Sequence, residues 1–204
     1  MISKRLGFTL VELMVVIAVI GILVSIATVS WITVVADTRD RVRETDTKQW
    51  QSTFDLYKGK YIVYPAMPTG DGTTPPQARL LCLGEFANGY CVQFTSSSTS
   101  AKINDNNSAS LLTNIQKVGD LPLNQSEPIN NKYVGPFVYI WQSTSGGTIT
   151  VNAKFLNFFE TECPDGFTRE TTQPAPNVPF ADLLNGVPSS VYVCSIKSSF
   201  SYTP

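Results

Sequence analysis

Apolar residues are concentrated near the start of the chain. Between residues 8 and 36 the only charged residue is Glu12, and residues 13–36 form a run of 24 residues without charge. As a helix this run would extend about 36 Å, which is enough to cross a bilayer core of about 30 Å. A secretory signal has an apolar region of only about 7 to 15 residues. The pattern therefore predicts a membrane-spanning helix over 8–36 that stays in the mature protein.

The pattern changes to an amphipathic one over residues 37–59. Residues 37–58 contain neither Gly nor Pro, and Trp50, Phe54 and Tyr57 recur at helical spacing on one face. Gly59 is the expected C-cap. We predict one helix from about residue 9 to residue 58, roughly 75 Å long, whose first half is apolar all round. The aromatic stripe is expected to pack against a globular head as ordinary core.

Residues 60–204 have the pattern of that head. Stretches rich in β-branched and aromatic residues predict strands at 133–142, 148–159 and 190–202, and a short helix is predicted at 108–118. Ser145-Gly146-Gly147 is a hairpin turn signal. Consecutive strands favour an antiparallel sheet, and its apolar face needs a covering layer. The predicted fold class is therefore α+β, with the amphipathic half of the long N-terminal helix packed on an antiparallel β-sheet head.

All four cysteines, Cys82, Cys91, Cys163 and Cys194, lie in the predicted head. They allow three disulfide pairings, and we favour Cys82–Cys91 with Cys163–Cys194 because both close local segments. In the chain-entropy model, loops of about 10 and 32 residues contribute roughly 2.7 and 3.7 kcal/mol. The alternative, an all-cysteine zinc site, is disfavoured because the chain has no CxxC pair and no His. Disulfides that staple loops predict an oxidising compartment for the head.

Composition argues against most catalytic chemistry. The chain has no His, which removes the commonest general base, and its net charge of −1 gives no electrostatic footprint for nucleic acid. Glu160, Glu162 and Asp165 could do acid–base work, but an exposed cluster at a strand end is the preferred interpretation. Asp105 stands among Asn residues, where a polar turn is favoured over a calcium site. We predict no enzyme activity, no cofactor and no metal.

Glu12 requires a compensating partner, because a carboxylate within an apolar membrane helix is costly. An interfacial Glu of no special role at the positive helix N-terminus is the less favoured explanation. The alternative is a cation, and the best candidate is a new α-amino group at Phe8 created by cleavage after Gly7. Orientation is ambiguous from charge alone, since basic residues flank both ends of the span: Lys4, Arg5, Arg39, Arg41 and Arg43. The cysteines resolve it, with the N-terminus inside and the head outside.

The first residues resemble a known family. Lys4-Arg5-Leu6-Gly7 followed by Phe8-Thr9-Leu10-Val11-Glu12-Leu13 resembles the leader of type IV pilins and pseudopilins, which is a short basic leader ending in Gly, an aromatic first residue and a Glu four residues later. The resemblance covers residues 1 to about 36. It implies a leader over 1–7, cleavage between Gly7 and Phe8, methylation of the Phe8 amine and an assembly role for Glu12.

The family also implies partners and a location. These are prepilin peptidase, an assembly ATPase with its membrane platform, other pilins, further copies of this chain in a helical filament, and membrane lipid before assembly. The protein would begin as a single-pass protein of the cytoplasmic membrane and end in a pilus or pseudopilus at the cell surface. One departure is that Val29 stands where many members have a Pro. Gly21, the other usual weak point, is present, and we expect a straighter helix.

Three functions follow as hypotheses. The first is a structural subunit of a type IV pilus-like filament, and the second is a pseudopilin of a type II secretion or DNA-uptake system. The third, from another class, is a signal-anchored extracytoplasmic enzyme or binding domain that keeps residues 1–7. The residues contain no catalytic constellation that supports the third.

Overall fold

The structure is a computed structural model that describes residues 9–61, 79–84, 86, 89–95, 100–104, 109–124, 127–129, 135–170, 187 and 189–202. The chain divides into two compact units, Met1–Thr38 and Arg39–Pro204. The predicted boundary between the apolar and amphipathic parts of the helix, after residue 36, lies two residues before this division. We describe each unit by itself.

Helix α1 extends from Leu10 to Tyr61. Gly59 is therefore not the C-cap, and this part of the prediction is wrong. The last turn continues because Lys58 and Lys60 lie near the negative helix C-terminus and because the rings of Tyr57 and Tyr61 pack 4.6 Å apart. At the other end, Gly21 and position 29 are helical like their neighbours, so the absence of Pro leaves this part of α1 unbroken.

The second unit contains a five-stranded antiparallel sheet in the order β1-β4-β5-β7-β6 and a separate hairpin of β2 and β3. The strands are β1 Arg79–Cys82, β2 Tyr90–Thr95, β3 Ser100–Asn104, β4 Phe137–Ser145, β5 Thr148–Phe159, β6 Thr168–Arg169 and β7 Tyr192–Tyr202. The short helix α2 is Ala109–Ile115. The α+β class predicted from the sequence is confirmed.

Strand β5 has the bounds that its pattern predicts. Strand β4 ends at Ser145 where its pattern predicts an end at 142, residues 135 and 136 before it are not in a strand, and β7 begins at Tyr192 instead of 190. The β4–β5 hairpin turns through Gly146 and Gly147, whose φ values of 57° and 82° are those of a type I′ turn. Residue 133 lies outside the described residues. Strands β1, β2, β3 and β6 were not predicted.

Both faces of the five-stranded sheet are buried. Trp50 and Phe54 of α1 pack on one face with Val138, Phe155 and α2, whose Leu111, Leu112 and Ile115 are buried as their spacing predicts. The opposite face carries a second cluster of apolar residues, namely Cys82, Cys91, Ile129, Phe137, Tyr139, Leu156, Phe158, Val191 and Val193. The sheet is therefore the middle layer of this unit, and its α1 face is only half of the core.

Candidate functional site

The N-terminus of α1 is closed by a reciprocal pair of side chains. The backbone N–H and the Oγ1 hydroxyl of Thr9 both donate to Oε2 of Glu12, each at 2.8 Å. In return the Glu12 N–H donates to Thr9 Oγ1 at 3.2 Å. This is a capping box, which satisfies helix N–H groups that have no partner within the helix. Glu12 thus has a local structural role, and its carboxylate lies at the exposed end of the helix.

The residues proposed for processing, Gly7 and Phe8, lie outside the described residues. The cleavage position, the methylated amine and any contact between that amine and Glu12 therefore remain predictions. The structure does place Glu12 within the first turn of α1, three residues from Thr9.

Among the described residues of the first unit, none covers the apolar part of α1. Large side chains around its whole circumference are exposed, from Leu10 at 72% to Val16 at 48%. Among the described residues, α1 is the one helix long and apolar enough to cross a membrane, by length and composition alone. A helix that is hydrophobic on every side needs an apolar surrounding, which lipid or other protein chains can supply.

The aromatic stripe of α1 is buried in the second unit. Trp50 and Phe54 are fully buried and Tyr57 nearly so. The Trp50 indole N–H donates to Asn124 Oδ1 at 2.8 Å, and the Phe54 ring meets Phe155 edge-on at 4.9 Å. Burial, with a smaller effect of Tyr61, raises the pKa of Tyr57. The stripe therefore has the packing role that its spacing indicates.

A buried polar network fixes α1 to the end of β5, and the sequence analysis missed it. Arg43 is 1% exposed and its guanidinium contacts Asp40 at 2.6 Å, Glu160 at 3.0 Å and the Glu127 carbonyl at 3.1 Å. The Asp40 carboxylate also accepts the N–H groups of Glu160 and Thr161 and the Thr161 hydroxyl, at 2.7–3.0 Å. These contacts join residues about 120 positions apart in sequence.

Asn157 extends this network one turn along α1. Its Nδ2 donates to the Arg43 carbonyl at 3.2 Å and to Thr47 Oγ1 at 3.1 Å. A Cβ at Gly135 would collide with the Asn157 side chain, so this approach requires glycine. The available signal was a fully polar residue inside the apolar run of β5, which implies a buried partner.

The carboxylates singled out from the sequence do not form one site. Glu160 is not part of an exposed cluster, because it is half-buried and pairs with Arg43 and more distantly with Arg39. Glu162 and Asp165 are exposed. Within the described ranges, no group of three His, Cys, Asp or Glu residues could hold a metal ion. Asp105 lies outside those ranges.

Two disulfides staple the second unit. Cys82 is bonded to Cys91 and Cys163 is bonded to Cys194, the two local pairings favoured from the sequence. The first joins the end of β1 to β2, and the second joins the segment after β5 to β7. A loop-rich head gains stability from such closures.

Comparison with known families identifies a motif at the N-terminus. Residues 2–28 match the family described as "Prokaryotic N-terminal methylation motif". This match confirms the resemblance of the first residues to the class III prepilin leader. This prepilin leader is shared by type IV pilins and pseudopilins, and it implies processing by prepilin peptidase. The match ends before the head begins, and neither a curated protein nor a solved structure matches the chain.

Proposed function

We propose that the protein is a structural subunit of a type IV pilus-like filament. The observation that carries this proposal is the combination of a prepilin leader with an exposed, all-round apolar helix whose first turn contains Glu12. Prepilin peptidase cleaves between Gly7 and Phe8 and methylates the new amine. The protein has no enzymatic activity of its own in this account, and it needs no cofactor.

Assembly replaces lipid around α1 with the helices of other copies. The apolar surface stays out of water in both states, so the hydrophobic effect alone gives little preference for the filament. Charge favours the filament over the separate subunit, because the Phe8 ammonium of one subunit meets the Glu12 carboxylate of a neighbour in a low-dielectric surrounding. In the single subunit Glu12 Oε2 accepts hydrogen bonds from Thr9, so the carboxylate already lies at the first turn of α1.

Before assembly the protein spans the cytoplasmic membrane once. The N-terminus faces the cytoplasm, where prepilin peptidase and the assembly ATPase with its platform act on it. The head lies outside, as its two disulfides favour. Other pilins are the remaining partners, and the head sets the surface of the resulting fibre.

The mass of the mature N-terminal peptide tests the proposal. We expect the membrane-resident protein to lack residues 1–7 and to begin with Phe8 carrying one added methyl group. A strain without prepilin peptidase is the matched control and should retain Met1. A mature protein that keeps Met1 in the presence of the peptidase would overturn the proposal.

A pseudopilin of a type II secretion or DNA-uptake system is the second candidate, because the same leader serves both classes. Deletion of the gene separates the two. Loss of visible surface fibres is expected of a pilin, whereas a defect in secretion or DNA uptake without fibre loss is expected of a pseudopilin.

A further inference from the structure

The segment from Cys163 to Glu170, between β5 and β7, is attached to β7 at both of its ends. At the first end Cys163 is bonded to Cys194. At the second end β6 pairs with β7, and the Glu170 N–H donates to the Val193 carbonyl at 2.9 Å. The segment is therefore a closed loop with one covalent closure and one non-covalent closure.

The β7 side chains that contact the two ends of the segment, Cys194 and Ser195, point to opposite faces of the sheet. Cys194 is opposite Asn157 of β5, whose side chain contacts α1. Ser195 is the next residue and is opposite Leu156, which belongs to the apolar cluster on the other face. Adjacent residues of a strand point to opposite faces. The segment therefore contacts β7 on both faces, through Cys194 on one face and Ser195 on the other.

A buried ion pair holds the second end. Lys154 Nζ contacts Oε1 and Oε2 of Glu170 at 2.7 and 2.8 Å, and the Ser195 hydroxyl donates to Oε1. All three residues are at least nine-tenths buried, at 8%, 9% and 1% exposure. The three side chains come from β5, from the residue after β6 and from β7, so the ion pair ties the segment to two strands.

Because the ion pair is buried, opening this closure costs free energy. A surface ion pair contributes little, but separating a buried one leaves each charge in a low-dielectric site without its partner. Opening the segment at Glu170 would also break the Glu170–Val193 backbone hydrogen bond. The second closure therefore has contacts of its own, and the disulfide is not one of them.

We propose that the Lys154–Glu170–Ser195 cluster is an independent latch that keeps the 163–170 segment closed on β7 when the Cys163–Cys194 disulfide is reduced. Reduction converts the disulfide into two thiols and takes two electrons and two protons, which a dithiol reagent such as dithiothreitol supplies. The closed segment keeps Cys163 beside Cys194, so the same pair re-forms on reoxidation.

Amide hydrogen exchange of the full-length protein in detergent micelles tests this proposal, because the Glu170 N–H is itself part of the closure. Wild type, Glu170→Gln and Glu162→Gln are compared with and without dithiothreitol. Glu162 is exposed and lies just before Cys163, so its variant controls for the loss of a carboxylate. Backbone amides of α2 report any global unfolding.

We expect reduced wild type and reduced Glu162→Gln to keep the residue-170 amide protected. Reduced Glu170→Gln should exchange there at least about tenfold faster, with α2 unchanged. If that variant unfolds throughout, Ser195→Ala keeps the ion pair and should give a smaller increase of about threefold. Reduced wild type exchanging as fast as the reduced Glu170→Gln variant would overturn the latch.

Discussion

At the scale of a single residue, the structure shows one role for Glu12, and the proposed function assigns it a second. In one subunit its Oε2 closes the capping box with Thr9. In the proposed filament its charge selects a neighbouring amine. The sequence predicted the second role and did not predict the first, although Thr9 three residues before Glu12 has the spacing of a capping box.

Replacing Glu12 by Gln separates these roles, because an amide oxygen can still accept the Thr9 hydrogen bonds but carries no charge. We expect cleavage and membrane insertion to continue while incorporation into sheared filaments falls at least about tenfold. Glu44→Gln, a substitution on the amphipathic part of α1, is the control and should assemble normally. Normal incorporation of Glu12→Gln would contradict the charge-pairing account.

The buried phenol of Tyr139 should make the head less stable under alkaline conditions. Burial raises the pKa of its phenol, so the folded protein holds this proton to a higher pH than the unfolded chain, which releases it near pH 10. Stability is therefore unaffected well below pH 10 and falls as the pH rises above it. Chemical denaturation between pH 8 and pH 11 should show that the free energy of unfolding falls less steeply with pH for Tyr139→Phe than for wild type. Equal slopes for the two proteins would contradict the prediction.

At the scale of elements, α1 is held in the second unit by apolar packing at one end of its amphipathic part and by polar contacts at the other. Trp50 and Phe54 pack on the sheet, while Arg43 and Asp40 bind the end of β5. Apolar contacts tolerate small shifts of a helix, whereas hydrogen-bonded charges define one position. The network therefore sets where α1 sits along the sheet.

Arg43→Met tests the network, with Arg39→Met as its control on the same helix. The first substitution leaves Asp40 buried without its guanidinium partner and should lower the free energy of unfolding by about 3–5 kcal/mol. Arg39 is half-exposed and its ion pairs are long, at 3.6 and 3.9 Å, so its loss should cost less than about 1 kcal/mol. Urea unfolding followed by near-ultraviolet circular dichroism measures both. Equal losses would contradict a specific role for Arg43.

Local patterns predicted the elements whose signals are contained within one stretch of chain. The apolar run and the aromatic stripe predicted α1. Alternating apolar residues on either side of a Gly-Gly turn predicted β4 and β5. Strands β1 and β6 have four and two residues, so neither is long enough to show a period. Their pairing depends on distant residues of the sheet.

The missed polar residues illustrate the same limit. Asp40 and Arg43 stand in a highly charged stretch that is typical of a solvated helix face, and Lys154 interrupts a strand as an ordinary surface residue would. Their partners, Thr161 and Glu170, lie in segments without a recognisable pattern. Only the folded arrangement reveals that these charges are buried.

At the scale of the whole molecule, the leader and the disulfides are independent indications of where the protein and its head are located. The leader concerns the membrane and processing, and the cysteines concern the compartment of the head. Because they depend on different residues, agreement between them strengthens the proposed topology.

Orientation can be tested on intact spheroplasts. We expect external protease to digest the head and to leave a membrane-protected fragment that contains Glu12 and Trp31. Protein extracted under alkylating conditions should contain no free thiols, since both disulfides are formed outside the cytoplasm. A protected head or four alkylated cysteines would contradict this topology, and a cytoplasmic protein provides the control for lysis.

The attachment of Asp40 to the end of β5 has a mechanical consequence. Strand β5 is the central strand of the five-stranded sheet, paired with β4 on one side and with β7 on the other. Tension applied to the head at Arg39 would pass through the Asp40 carboxylate into this strand before it reaches either edge. Extracting β5 means shearing two ladders of hydrogen bonds together, so the head should resist stretching until that strand yields.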